Sequence, residues 1–142
     1  MKRKALAITL AAVMAMGTCA VTASAADGDT YTIGICQLVQ HVALDAATQG
    51  FKDEVTKELG EDAVTFDEQN AQGDSNTCST IVNSFVSNNV DLILANATPA
   101  LQAAAAGTSD IPILGTSVTE YGVALGLDDF DGTVGGNISG TA

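Results

Sequence analysis

Short apolar segments alternate with longer segments of helical periodicity along this chain, and that alternation constrains the fold more than any other feature. The apolar segments cover residues 31–36, 63–67, 90–95 and 111–116. The third, VDLILA, is almost continuously apolar, as expected for a strand buried on both faces of a parallel sheet. Strands that alternate with helices over short links favour a doubly wound parallel α/β sheet with helices on both faces.

The segments between these strands carry the signals of amphipathic helices. In the first, the apolar positions recur at spacings of three and four: Leu44, Ala47, Phe51, Val55 and Leu59. In the second, Asp74 or Ser75 is placed to cap the helix, and the apolar positions are Cys78, Ile81, Val82 and Phe85. In the third, Thr98 is expected as the N-cap with Pro99 at the first helical position. Residues 123–127 are predicted as a short fifth strand, whereas residues 128–142 show no clear period.

The first 25 residues have the layout of a secretory signal peptide. Basic residues at positions 2–4 precede an apolar run over residues 5–16, and Ala23, Ser24 and Ala25 form a small-residue cleavage site. The apolar run is shorter than the roughly 20 residues that a membrane-spanning helix needs. We therefore expect export to an extracytoplasmic location, with a polar leader at residues 26–30. Cleavage after Ala25 is favoured over a lipid anchor at Cys19, because Thr18 departs from the usual lipobox.

The charge balance excludes some partners. Once a signal peptide is removed, Lys52 and Lys57 are the basic residues left against 17 acidic ones. Such a surface repels a phosphate backbone, so we expect no nucleic-acid partner, and adhesion to an anionic membrane is disfavoured. The acidity is interpreted as a solvated surface that keeps the protein soluble, and we expect a monomer.

The sequence offers little for catalysis or metal binding. It has a single histidine, His41, no metal-ligand spacing, and none of the glycine-rich loops of nucleotide sites or the G-x-S-x-G elbow of hydrolases. We therefore expect no catalytic residue, no metal and no cofactor. Cys36 and Cys78 are interpreted as small buried hydrophobic residues, although an exported protein could also join them in a disulfide.

Polar, mostly uncharged residues follow the predicted strands. In open α/β sheets ligands bind beyond the carboxyl ends of the strands, where amides and hydroxyls can hold a small polar solute without reacting with it. The helix N-termini at Ser75 and Thr98 also offer free N–H groups for a carboxylate. The predicted solute-binding residues are Gln37, His41, Asn70, Thr98, Ser117 and Thr119.

Several of these segments, in this order, resemble one family. Residues 33–47 (IGICQLVQHVALDAA) with 49–51 (QGF), residues 69–74 (QNAQGD), 90–93 (VDLI), 97–100 (ATPA), 110–113 (DIPI) and 135–140 (GGNISG) are similar to the ABC transporter substrate-binding proteins of the tryptophan/tyrosine-type group. The match extends over nearly all of residues 31–142. Two departures are Val42, where the family commonly has Pro, and residues 117–121 (SVTEY), where it commonly has AVTDP.

The resemblance implies a type I periplasmic-binding-protein fold with two lobes joined by a hinge. Solute would bind between the lobes, and the closed form would dock on an ABC permease in the membrane. Residues 31–127 would form the N-terminal α/β lobe, and residues 128–142 would begin the interlobe segment. The chain is expected to be truncated before its second lobe. The expected solute is an amino acid, which the family suggests is aromatic.

Two alternatives share this layout. The lobe could sense a solute for a membrane receptor, or the chain could be an exported enzyme with a flavodoxin-like fold, because a fold does not fix a function.

Overall fold

The computed structural model describes residues 28–141, so the predicted signal peptide and Cys19 lie outside the described residues. The described part contains five strands and four helices, with a short 3-10 turn at Glu61–Ala63. The strands are β1 (Tyr31–Gln37), β2 (Val64–Asn70), β3 (Leu92–Asn96), β4 (Ile113–Thr116) and β5 (Ile138–Gly140). The helices are α1 (Val42–Leu59), α2 (Ser75–Ser87), α3 (Thr98–Gly107) and α4 (Tyr121–Leu125).

The strands form one parallel sheet in the order β2-β1-β3-β4-β5, which confirms the predicted fold class. The strand register matters for the site. Gln37 lies opposite Asn70 on one side and Asn96 on the other, and Asn96 lies opposite Thr116. The last residues of four strands therefore stand in one row across the sheet.

Helices cover both faces of the sheet, as predicted. On one face α1 packs against a small apolar cluster in which Phe51 and Val55 lie on Ile33, Ile35 and Leu94. The other face carries α2, α3 and α4 over a larger core. The apolar positions predicted for α2 all face that core: Cys78, Ile81, Val82 and Phe85.

Gly34 lets α2 approach the centre of the sheet. A Cβ atom on Gly34 would lie 2.6 Å from the Cγ atom of Phe85, whose ring is fully buried. Phe85 is among the largest side chains of the core, and its ring fills the space that a side chain at position 34 would need.

The prediction of a fifth strand at residues 123–127 is wrong. Residues 121–125 form α4 because the Glu120 carboxylate accepts hydrogen bonds from the N–H groups of Gly122 and Val123, at 2.7 and 2.6 Å. Gly126 then ends the helix in the left-handed conformation, with φ at 64°. Tyr121 and Ala124, which are spaced by three residues, are both buried.

The fifth strand lies instead in the glycine-rich segment that was predicted to begin the interlobe connection. Ile138–Gly140 pairs in parallel with β4. The Asn137 side chain holds the entry to this strand, because its Nδ2 donates to the carbonyl oxygens of Thr108 and Ile111, at 3.2 and 2.8 Å. These bonds join residues far apart in sequence, so no local sequence pattern predicts the strand.

We predict that Gly34→Ala lowers the free energy of unfolding by about 1–3 kcal/mol, because the added methyl group overpacks the Phe85 ring. Gly50→Ala is the matched control: Gly50 lies in α1 with open space around its Cα, so the same substitution should raise stability by about 0.4–1 kcal/mol. Urea denaturation followed by circular dichroism measures both. Equal effects of the two substitutions would contradict the packing argument.

Candidate functional site

The residues predicted to bind solute all lie at one edge of the sheet, where the parallel strands end. They are Gln37 and Asn70, which end β1 and β2, His41, which precedes α1, Thr98, which begins α3, and Ser117 and Thr119, which follow β4. The structure brings the six to this edge with different exposures and hydrogen-bond partners. Their contact with a solute stays a prediction.

Gln37 is the most buried of the six, with 4% of its surface exposed. Its Nε2 donates to the carbonyl oxygen of Val39 at 2.9 Å and to Oδ1 of Asp45 at 2.6 Å. Its Oε1 accepts a hydrogen bond from the Thr48 hydroxyl at 2.7 Å. Both amide hydrogens of Gln37 are therefore engaged within the protein.

His41 is exposed and caps α1. Its Nδ1 accepts a hydrogen bond from the N–H of Ala43 at 3.2 Å, and its backbone is extended. Val42 follows as the first helical residue, which is a position that favours Pro. Since Val42 is largely exposed there, the departure from the family's usual Pro disturbs no packing.

The loop after β2 is fastened to the loop after β1. Asn70 is exposed, and its Oδ1 accepts from the N–H of Gln72 at 2.8 Å, so it shapes the turn. The N–H groups of Ala71 and Gly73 donate to the carbonyl oxygens of Gln37 and Leu38, at 2.9 and 2.7 Å. Asp74 then caps α2 by accepting from the N–H of Thr77 at 2.6 Å, which confirms one of the two predicted caps.

Thr98 does not cap α3, which corrects the sequence prediction. The N-cap is Ala97, and Thr98 is the first helical residue, half-buried. Ala97 has φ at 94°, a conformation that L-residues seldom adopt and that costs about 1–3 kcal/mol. It is held there by burial and by a 3.0 Å hydrogen bond from its N–H to the carbonyl oxygen of Thr116. The first turn of α3 therefore has no side-chain cap.

The loop after β4 exposes two hydroxyl groups at the edge. Ser117, with φ at 57°, and Thr119 are both exposed. The next two residues serve the fold, since Glu120 caps α4 and Tyr121 packs against Gly115. The departure from the family's usual sequence in this loop thus supplies a helix cap and a core side chain.

A groove of about 550 Å³ opens at the edge beside α1. It is lined by Gln37, Val39, Gln40, Asp45, Glu68, Asn70 and Gln72. Asp45 and Glu68 are not among the predicted residues. A signal for Asp45 was present in the sequence, because it lies one helical turn after His41 and so shares the edge with the predicted residues. Glu68 is paired with Lys52, whose Nζ lies 2.8 Å from Oε2 of Glu68.

The two cysteines are unsuited to chemistry. Cys36 and Cys78 are free and fully buried, which confirms their interpretation as small core residues. Burial raises the pKa of both thiols, so they stay protonated and weakly nucleophilic near neutral pH. Within residues 28–141 no cluster of His, Cys, Asp and Glu could hold a metal ion, and no helix is long and apolar enough to cross a membrane.

Comparison with known proteins decides the family. The sequence model described as "ABC transporter substrate binding protein" matches residues 32–142. The chain belongs to the ABC transporter substrate-binding protein family. This is a family of binding proteins rather than enzymes, so the flavodoxin-like enzyme is set aside.

Individual members of the ABC transporter substrate-binding family agree with this assignment. A curated relative from Clostridioides difficile (strain R20291), named tyrosine-binding protein, is 46% identical over 114 residues, which are 78% of this chain and 32% of the relative. The chain therefore spans about a third of that relative's length.

Two solved structures share the fold. A ligand-free, open substrate-binding protein with adhesive properties from Clostridium difficile has a TM-score of 0.69 at 43% identity, over 78% of this chain and 38% of its own. An ABC domain in complex with L-Trp from Streptococcus pneumoniae has a TM-score of 0.72 at 33% identity, over 79% of this chain and 38% of its own.

We predict that Asp74→Ala lowers the urea midpoint of unfolding and that Asp74→Asn lowers it less, because the amide oxygen can still cap α2 but carries no charge. The hydrogen bond from the Thr77 N–H lowers the pKa of Asp74. The carboxylate therefore contributes stability above the pKa of an unfolded aspartate and loses it as pH falls through the lower, folded pKa. The difference between the wild type and Asp74→Ala should shrink on acidification. A difference independent of pH would contradict the charged cap.

Proposed function

We propose that this chain forms one lobe of an extracytoplasmic binding protein that delivers an aromatic amino acid to an ABC importer. The observation that carries the proposal is the set of uncharged hydrogen-bonding side chains at one edge of the sheet. Amides and hydroxyls can hold a polar solute without reacting with it. The solute class is supported by relatives, one named for tyrosine and one solved with L-Trp.

The carboxylate of such a solute has a natural place at α3. The backbone N–H groups in the first turn of a helix attract an anion, and in α3 no side chain caps them because the N-cap is Ala97. In α2, by contrast, the Asp74 carboxylate already occupies the corresponding position. Since β4 pairs with β3, the hydroxyls of Ser117 and Thr119 follow the neighbouring strand and extend the same polar edge.

The remaining wall of the cleft is assigned to a second lobe. The chain covers 38% of the matching solved structures, and the edge described above offers an open groove rather than an enclosed site. Solute would bring the two lobes together, and the closed monomer would dock on a membrane permease. The acidic surface and the N-terminal sequence fit a soluble protein working outside the cytoplasm.

We predict that residues 26–142 alone bind L-tyrosine and L-tryptophan at least about 100-fold more weakly than a two-lobed protein, because half of the contacts are missing. The two-lobed protein joins this chain to the second lobe of the C. difficile tyrosine-binding protein. Isothermal titration calorimetry of both forms measures the difference. Micromolar binding by the isolated lobe would contradict the two-lobe assignment, and no binding of either amino acid by the two-lobed form would contradict the solute class.

We predict that the chain is exported and that its mature form begins at Ala26. Expression of the complete sequence in a bacterial host, followed by intact-mass analysis of the extracytoplasmic fraction, checks the cleavage position. Ala25→Phe is the control, since a bulky residue at the cleavage site should leave the precursor uncut. A mature chain that begins with a lipid-modified Cys19 would show anchoring instead, and an uncut wild-type chain in the cytosol would contradict export.

A further inference from the structure

Asp45 is a carboxylate of the groove that forms no salt bridge within the described residues. The lysines within residues 28–141 are Lys52 and Lys57, and both pair with glutamates, whereas His41 uses its Nδ1 to cap α1. Glu68, the other carboxylate of the groove, is held by Lys52. Asp45 therefore carries a negative charge that no lysine balances, and apart from Glu68 the rest of the lining consists of amides and one valine.

A directed chain of hydrogen bonds ends on this carboxylate. Nδ2 of Asn96 donates to the Thr48 hydroxyl at 2.9 Å, and that hydroxyl donates to Oε1 of Gln37 at 2.7 Å. Nε2 of Gln37 then donates to Oδ1 of Asp45 at 2.6 Å. Each group donates toward Asp45, and bonds in such a chain polarise one another in the same direction. This series of hydrogen bonds fixes Oδ1 of Asp45 and leaves Oδ2 for another partner.

The orientation of the buried end is fixed by a carbonyl group. Nδ2 of Asn96 also donates to the carbonyl oxygen of Leu44 at 2.8 Å, and a carbonyl can only accept, so the amide cannot be turned over. As a result Oδ1 of Asn96 is buried without a hydrogen-bond partner among the described residues. Such a group costs stability. The unpartnered oxygen thus belongs to Asn96, the same residue whose Nδ2 begins the series of hydrogen bonds that leads to Asp45.

We propose that Asp45 receives the ammonium group of the solute and that Gln37, Thr48 and Asn96 are positioning residues that orient its carboxylate. This inference rests on the proposed function and deepens it, because it names the part of an amino acid that this lobe selects. The solute class is a small molecule with a primary ammonium group, and the same molecule without that group should bind poorly.

The test compares L-tyrosine with 3-(4-hydroxyphenyl)propanoate, which lacks only the amino group, in calorimetric titrations of the two-lobed protein. Asp45→Asn should weaken binding of L-tyrosine about 10-fold and change binding of the propanoate by less than about 2-fold. Asp53→Asn is the matched control, because Asp53 lies on the same helix outside this groove and carries the same charge. It should change neither affinity by more than about 2-fold.

The positioning role is tested by Thr48→Val, which keeps the shape of the side chain and breaks the hydrogen-bond chain. The ratio of the two affinities should fall about 3-fold or more, and Thr48→Ser should restore it. A change in melting temperature with an unchanged ratio would overturn the positioning role. An equal loss for both ligands in Asp45→Asn would overturn ammonium recognition alone. A wild type that binds no amino acid would overturn the proposed function and this inference with it.

Discussion

The register of the parallel sheet is the constraint on which the rest of the structure depends. It aligns Asn70, Gln37, Asn96 and Thr116 in one row at the edge where ligands of such sheets bind. It also fixes the direction of each side chain, because alternate residues of a strand face opposite sides. Gln37 shares the face of Ile33 and Ile35, and Asn96 shares the face of Leu94, so both amides lie under α1. A shift of one residue would turn them toward α2 and dismantle the hydrogen-bond chain.

The two faces of the sheet are held by different forces. On the side of α2, α3 and α4 the contacts are aliphatic and close, to the point that Gly34 has no room for a methyl group beneath Phe85. On the other side Thr48 is the one fully buried residue of α1, and it is polar. The N-terminal half of α1 is therefore located by hydrogen bonds from Gln37 and Asn96, whereas Phe51 and Val55 supply apolar contact further along. Hydrogen bonds define orientation more sharply than apolar contact does, so the first turn of α1, which borders the groove, has a well-defined orientation.

Local patterns predicted the elements whose boundaries are set locally. The apolar spacing of α2 and the continuous run of β3 report burial directly, so those elements could be assigned from the sequence. Residues 123–127 were mistaken for a strand because the helix that overlaps them, α4, has only five residues, too few to show a period, and depends on the Glu120 cap. The strand at residues 138–140 depends on Asn137, whose partners lie more than 25 residues away. The Glu120 cap is a local contact, but glutamate is not among the residues that usually cap helices, whereas the Asn137 contacts require the fold.

In the candidate site, too, some features follow from the local sequence and others only from the fold. The edge could be located from the ends of the strands, but the role of each residue could not. Gln37 was predicted to bind solute. Alternation with Ile33 and Ile35 places it on the side of α1, where its amide hydrogens bond to Val39 and Asp45. The strained backbone of Ala97 could not be anticipated, because nothing in an alanine signals φ at 94°.

In the proposed binding mode, the opposite charges of one solute lie at two different points of the same edge. An amino acid is a zwitterion, and its two charged groups need partners of opposite sign that do not neutralise each other. The first turn of α3 offers N–H groups with a partial positive charge, and Asp45 in the first turn of α1 offers a carboxylate. These helices follow neighbouring strands, β3 and β1, so the sheet itself keeps the two partners apart. In this arrangement the lobe recognises the ammonium and carboxylate groups that all amino acids share.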